Sequence, residues 1–152
     1  ILDADLTMPP EQLPKFYNAI ASGKGEFVNG SRLVYPMEQG AMRFLNLIAN
    51  RLFAAIFSYL LNQRFTDTLC GTKVMRRSDY RRIADNRSYF GEFDPFGDFD
   101  LIFGAAKLNM KIIEIPIRYA DRTYGETQIS RFRDGWELIK MVVFAWRKLK
   151  AF

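Results

Sequence analysis

The sequence predicts an α/β fold with too few strands for a complete doubly wound sheet. Two patterns carry that prediction. Apolar residues at helical spacing recur along the chain, separated by short runs rich in Val and Ile. A pair of carboxylates, in Asp3-Ala4-Asp5, directly follows the apolar stub Ile1-Leu2. Such a stub reads as the end of a buried strand, and the crevice beyond strand ends is where open α/β sheets bind ligands. A chain that opens on the end of a strand also predicts further chain upstream.

Pro9 and Pro10 open the first helix, since proline suits a first turn, and Glu11 adds favourable charge there. Leu13, Phe16, Tyr17 and Ile20 form its apolar stripe, and Gly23 and Gly25 close it. Glu26 to Val28 reads as a short strand ended by Gly30-Ser31-Arg32, followed by a loop through Pro36 to Gly40. Ala41 to Leu61 is helical and strongly apolar, but Arg43, Asn46, Asn50 and Arg51 interrupt it. A bilayer span needs about 20 clean apolar residues, so the segment is expected to be buried or interfacial, with one break. Thr66 to Thr72 is a polar turn, and Lys73 to Arg76 a short strand. Ser78 is placed to cap a helix through Ile83. Asn86 to Phe96 is an aromatic loop with Gly and Pro, and Asp98 to Leu108 a helix. Lys111 to Arg118 is a strand whose Pro116 predicts an edge or bulged position. After the polar loop Asp121–Ser130, Phe132 to Phe152 forms a basic helix with Trp136, Leu138, Ile139, Val142, Val143 and Trp146 on its apolar side.

Composition narrows the chemistry. The 152 residues carry a net charge of +5, which favours anionic partners. A hydrophobic content of 49% is enough to build a core. There is one cysteine, Cys70, so no internal disulfide forms, which suits a reducing compartment. There is no histidine, which removes His-based triads, His general bases and His metal ligands. An acid or base must then be Asp, Glu, Lys or Tyr. A metal held by carboxylates is magnesium or manganese rather than zinc.

Three groups of residues are candidates for a site. Asp3 and Asp5 would repel each other without a cation between them, and a divalent ion there could bridge to a diphosphate. A solvated turn is the bland alternative. Gly97-Asp98-Phe99-Asp100-Leu101 offers Asp98 and Asp100 as catalytic carboxylates, Asp98 as a general base toward a hydroxyl. Asp98 could equally cap the helix that follows. The loop arginines Arg32, Arg43 and Arg122, with Gly125 and Thr127, could clamp phosphate, because guanidinium matches phosphate geometry. Each of these arginines also reads as a solvated surface charge. The basic final helix has the composition of an interfacial helix.

Taken in order, several short motifs resemble family-two glycosyltransferases, in the branch of dolichyl-phosphate mannose synthase and the polyprenyl-phosphate sugar transferases. They are Leu2-Asp3-Ala4-Asp5-Leu6 with Pro9-Pro10-Glu11, Gly30-Ser31-Arg32, Arg43, Asp67-Thr68 with Cys70-Gly71-Thr72-Lys73, Phe99-Asp100-Leu101, Glu114-Ile115-Pro116-Ile117, and Arg122-Thr123-Tyr124-Gly125-Glu126-Thr127. The resemblance implies the carboxyl-terminal half of a GT-A, Rossmann-like domain: a mixed sheet flanked by helices, residues 1–152 forming one partial domain. The base-binding half, about a hundred residues of strand–helix repeats, would lie upstream.

The resemblance also implies a nucleotide-sugar donor, UDP- or GDP-linked, and a polyprenyl phosphate or hydroxyl acceptor. It implies Mg²⁺ or Mn²⁺ on Asp3 and Asp5, phosphate contacts from Arg32, Arg43 and Arg122, and inversion at the sugar. It places the protein peripherally, at the cytoplasmic face of a membrane. Two departures stand out. Gly97 occupies the place of the Glu in the family's Glu-Asp base motif, and Thr127-Gln128 that of the Ser-Lys frequent in the lipid-phosphate branch. Of the other function classes, a non-catalytic membrane scaffold derived from a transferase fits the basic final helix. Nucleic-acid binding has only the net charge behind it, without a recognition motif.

Overall fold

The computed structural model describes residues 1–2, 7–33, 44–89, 94, 97–118, 120 and 131–150, the side chains of 44–46 and 131–134 excepted. The helices are α1 (Leu13–Ala21), α2 (Phe44–Leu61), α3 (Arg77–Asp85), α4 (Phe99–Lys107) and α5 (Arg131–Leu149). The strands are β1 (Phe27–Ser31), β2 (Lys73–Met75) and β3 (Ile112–Pro116). They form a mixed sheet in the order β2-β1-β3, with β1 antiparallel to β2 and parallel to β3. The fold is therefore α/β, as the sequence predicts.

Side chains alternate across a strand, and the alternation here feeds two separate cores. Phe27 and Ile112 point into the larger one, with Phe53, Phe57, Phe99, Phe103, Leu138 and Met141. Val28 points into the smaller one with Phe16, Ile20, Cys70 and Ile117, and Ile113 and Ile115 pack against it. The sheet is thus covered by α1 on one face and by α2, α4 and α5 on the other. Phe57, Phe99 and Phe103 form a tilted aromatic trio with ring centroids 4.9–5.8 Å apart, joining α2 to α4 at favoured geometry.

Several expected boundaries move, each for a local reason. Gly30 and Ser31 lie within β1, paired with Ile115 and Pro116. Gly30 is there because a Cβ at that position would lie 2.8 Å from Cys70 Sγ. Ser78 lies inside the first turn of α3, whose N-cap is Arg76. Within the described residues α2 is unbroken: Asn50 turns inward and Arg51 outward, so these residues mark its two faces rather than a break. Pro116 ends β3 at an outer position of the described sheet, as a residue without an N–H donor should. Ile1 exchanges both backbone hydrogen bonds with Lys73 on the side of β2 away from β1, in keeping with a strand end at that point.

The largest correction concerns α5. Its buried stripe is Leu138, Met141 and Ala145, backed by Val142 and Leu149. Trp136, Ile139, Val143 and Trp146, which the sequence puts on one apolar side with Leu138 and Val142, are exposed, the two tryptophans by 61% and 52%. The helix carries two apolar stripes, and only one is used inside.

Gly104 is the tightest helix contact. A Cβ there would come 2.5 Å from Ile83 Cγ2, where α4 crosses α3. In an open helix Gly→Ala gains about 1 kcal/mol. Here the buried, β-branched Ile83 cannot yield, so Gly104→Ala should instead lower stability by about 1–3 kcal/mol, measured by urea titration.

Candidate functional site

A cluster of buried polar residues runs from the middle of the parallel strands β1 and β3, at Asn29 and Glu114, to Arg32 just past the end of β1, and Asp67 is at its centre. Its side chain is wholly buried, and its carboxylate accepts from five donors. Arg32 contributes Nε at 2.7 Å, Nη2 at 2.8 Å and its backbone N at 3.1 Å. Asn50 Nδ2 of α2 lies at 2.9 Å and Leu69 N at 3.1 Å. This side-on, two-point grip is the strongest geometry for a guanidinium and a carboxylate. Burial pushes the Asp67 carboxyl upward, but the Arg32 hydrogen bond and charge and the Asn50 hydrogen bond outweigh it, and the group sits below its ordinary value.

The loop that carries Asp67 is itself clamped. Glu114 of β3 accepts from Thr66 N at 2.8 Å, Thr66 Oγ1 at 2.7 Å and Asp67 N at 3.1 Å. Asn29 Nδ2 of β1 donates to Asp67 O at 2.6 Å. Ser31 and Thr66 join by their hydroxyls at 2.8 Å. Three buried oxygens of this cluster, Asn29 Oδ1, Asn50 Oδ1 and Thr68 Oγ1, have no partner among the described residues, an arrangement that ordered water satisfies in comparable interiors.

At its other end the same loop reaches Asp98. Lys73 Nζ, fully buried, donates to Cys70 O at 2.5 Å and to Asp98 Oδ1 at 3.0 Å. Asp98 stands at the N-cap of α4 but makes no side-chain capping bond, because its carboxylate turns to Lys73. Asp100 pairs with Arg87, takes a hydrogen bond from neither Arg32 nor Lys73, and lines a cavity of about 190 Å³ with Tyr80, Ile83 and Gly97. The Cys70 thiol is pushed up to about 11 by burial and by the Asp67 charge, so it stays protonated, in agreement with a structural role.

Of the residues singled out from the sequence, the structure therefore connects Arg32 with Asp98 through the 67–73 loop and sets Asp100 apart on Arg87. Asp3, Asp5, Arg43, Arg122, Gly125 and Thr127 lie outside the described residues. Among the described residues no cluster of three or more Cys, Asp or Glu could hold a metal ion. Sequence reasoning missed Asp67, Lys73 and Glu114 as parts of one network. The available signal was the clustering of polar residues in the short segment between α2 and β2.

The chain's curated homologues include glycosyltransferases of the family-two type, two of them named for lipid phosphates. A dolichyl-phosphate hexose transferase of Haloferax volcanii is 32% identical over 143 residues, 93% of this chain and 58% of that protein. The low-salt glycan biosynthesis hexosyltransferase Agl6 of the same organism is 30% identical over 142 residues, covering 93% and 33% respectively. An undecaprenyl-phosphate mannosyltransferase of Micrococcus luteus is 27% identical over 137 residues, covering 85% and 51%. The chain spans about half the length of the curated relatives it matches. No family model and no solved structure matches it.

The Asp67 pair predicts a pH signature. The folded pKa of Asp67 lies below its ordinary 3.8, so its contribution is complete above that value and is lost as pH falls through the folded pKa. Asp67→Asn should cost about 3 kcal/mol at pH 7, since it strips a buried pair of one charge. The gap to the wild type should close below about pH 4, as followed by urea titration at a series of pH values.

Proposed function

We propose that this chain is the metal and acceptor side of a glycosyltransferase that moves a sugar from a UDP- or GDP-sugar to a polyprenyl phosphate, with inversion, at the cytoplasmic face of a membrane. The observation that carries the reading is the similarity to lipid-phosphate sugar transferases across 93% of the chain. The GT-A assignment rests on the same resemblance, and the mixed sheet covered by helices on both faces is compatible with it.

Asp3 and Asp5 would hold Mg²⁺ or Mn²⁺, and an oxygen-only donor set suits such hard cations. When bound, the ion would neutralise charge on the departing nucleoside diphosphate. Arg32, Arg43 and Arg122 would bind substrate phosphates, with Gly125 and Thr127 shaping the last of these contacts. A phosphate acceptor is already an anion and needs no general base. Engagement of Asp98 by the buried Lys73 supports that acceptor over a hydroxyl, for which Asp98 would have to take a proton.

The surface supports a membrane setting. Trp136, Ile139, Val143 and Trp146 on α5 and Ile48, Leu52 and Tyr59 on α2 are exposed. At the carboxyl ends of the two helices Lys150 Nζ lies 5.2 Å from the Tyr59 ring centroid. Lys140, Arg147 and Arg51 flank these apolar residues and are also exposed. Apolar rows bordered by cations suit the headgroup boundary of an anionic bilayer. No described helix is long and apolar enough to cross a membrane. A non-catalytic scaffold would use the same surface, so activity must separate the two readings.

In the full-length protein, Asp3→Asn and Asp5→Asn should each abolish transfer from a nucleotide-sugar to polyprenyl phosphate while vesicle binding persists. Turnover that survives both changes would overturn the metal role of Asp3 and Asp5, and vesicle binding by a wild type that transfers no sugar would favour the scaffold reading. Trp136→Ser and Trp146→Ser should each weaken sedimentation with anionic vesicles roughly tenfold, from the ~1.5–3 kcal/mol of apolar burial that each ring offers.

A further inference from the structure

We propose that Asp67 is a positioning residue: it presets the Arg32 guanidinium, at the end of β1, for the substrate phosphate that Arg32 binds. The inference rests on the assignment of Arg32 above and goes beyond it to a second residue.

The asymmetry of the pair is the first argument. The Asp67 side chain is 0% exposed and that of Arg32 is 12% exposed. Only the arginine can meet a ligand, so any influence of Asp67 on substrate must pass through it. The second argument is the redundancy of the support. β1 holds Asp67 through Asn29, α2 through Asn50, and β3 through Glu114. With its backbone O and N held by Asn29 and Glu114 and its carboxylate held by Asn50, Asp67 fixes in turn the direction of the guanidinium gripped at Nε and Nη2. Pre-organisation of this kind removes the ordering cost of an arginine, a side chain with large rotamer freedom, at the moment of binding.

The third argument is energetic. A buried ion pair adds little to stability compared with apolar residues of the same volume. A pair with five donors on one carboxylate is thus poorly explained by stability alone. Its place fits the alternative: Arg32 follows β1 directly, at the carboxyl ends of two parallel strands, the ligand side of an open α/β sheet.

The test uses the full-length protein with Arg32→Gln, Asp67→Asn and the double variant. Each is measured for kcat/KM and, by calorimetry, for binding of Mg²⁺-pyrophosphate and of a short-chain isoprenyl phosphate. Both single variants should lose about 100-fold in kcat/KM, the scale of a misplaced binding group. The double variant should be no worse than either, because the two residues act as one unit. At least one anion should bind the wild type and bind Asp67→Asn more weakly by a similar factor. Losses that multiply in the double variant, or an Asp67→Asn protein that is less stable but binds and turns over normally, would overturn the proposal.

If Asp67→Asn does not fold, Asp67→Glu, which keeps the charge but moves the carboxylate by one methylene, takes its place. A folded Asp67→Glu protein within a few-fold of wild type in kcat/KM and anion binding overturns the inference, and one that is about 100-fold weaker supports it. Failure of the wild type to transfer sugar would sink the proposed function while leaving anion binding to judge Asp67. A wild type that binds neither anion sinks the inference as well.

Discussion

The described half of this molecule that faces its site depends on one fully buried negative charge. An ionised carboxylate inside a protein is tolerable only when every lone pair is occupied, and Asp67 meets that demand by recruiting Arg32, Asn50 and Leu69. The demand then spreads. An asparagine is required in the middle of an otherwise apolar helix, a glutamate is required on β3 to hold the loop, and an arginine is fixed where β1 ends. Polar residues that look scattered along the chain are therefore answers to a single electrostatic problem.

Lys73 poses the mirror-image problem at the other end of the same loop. A buried ammonium needs a carboxylate and finds Asp98. The two pairs bracket the 67–73 segment, so a stretch with almost no regular secondary structure is held by charge and hydrogen bonds. Precise placement in a loop of this kind is what a ligand site on an α/β scaffold requires. The outer faces of α2 and α5 keep exposed apolar residues, among them Leu52, Trp136 and Trp146.

Much of the fold was legible in the sequence. Helical spacing and capping signals located the five described α-helices, and Pro116 gave its strand an outer position in the described sheet. What failed did so for identifiable reasons. Spacing tells that α5 has apolar residues at regular intervals, but with two stripes on one cylinder it cannot say which turns inward. That depends on the shape of α2 and the sheet. Asp98 looked like a cap because residue type and position suit one, yet a buried lysine distant in sequence competed more strongly for its carboxylate. Asp67 stood in a motif but was given no role, because a polar residue in a turn is ordinarily solvated. Its burial is a tertiary property, created by β1, α2 and β3 closing around it. The carboxylates and arginines carried over by resemblance divide in the same way: Arg32 and Asp98 fall into one connected network, whereas Asp100 belongs to a separate pair with Arg87.

The pairing of β1 with β3 also governs when the protein can acquire its shape. Lys111 N donates to Glu26 Oε2 across 85 residues of chain, and the parallel register from Phe27↔Ile112 onward spans the same interval. Until Glu114 emerges from the ribosome, the loop around Asp67 has no clamp and β1 lacks its parallel neighbour. Non-local pairing of this sort is slow, because a long loop must close before contacts reward it. The nascent chain meanwhile carries α2 and its apolar stripe without the sheet that buries the inner face. The order of synthesis thus leaves a hydrophobic helix waiting for a strand made much later, an interval in which chaperones or the membrane surface would be its natural company.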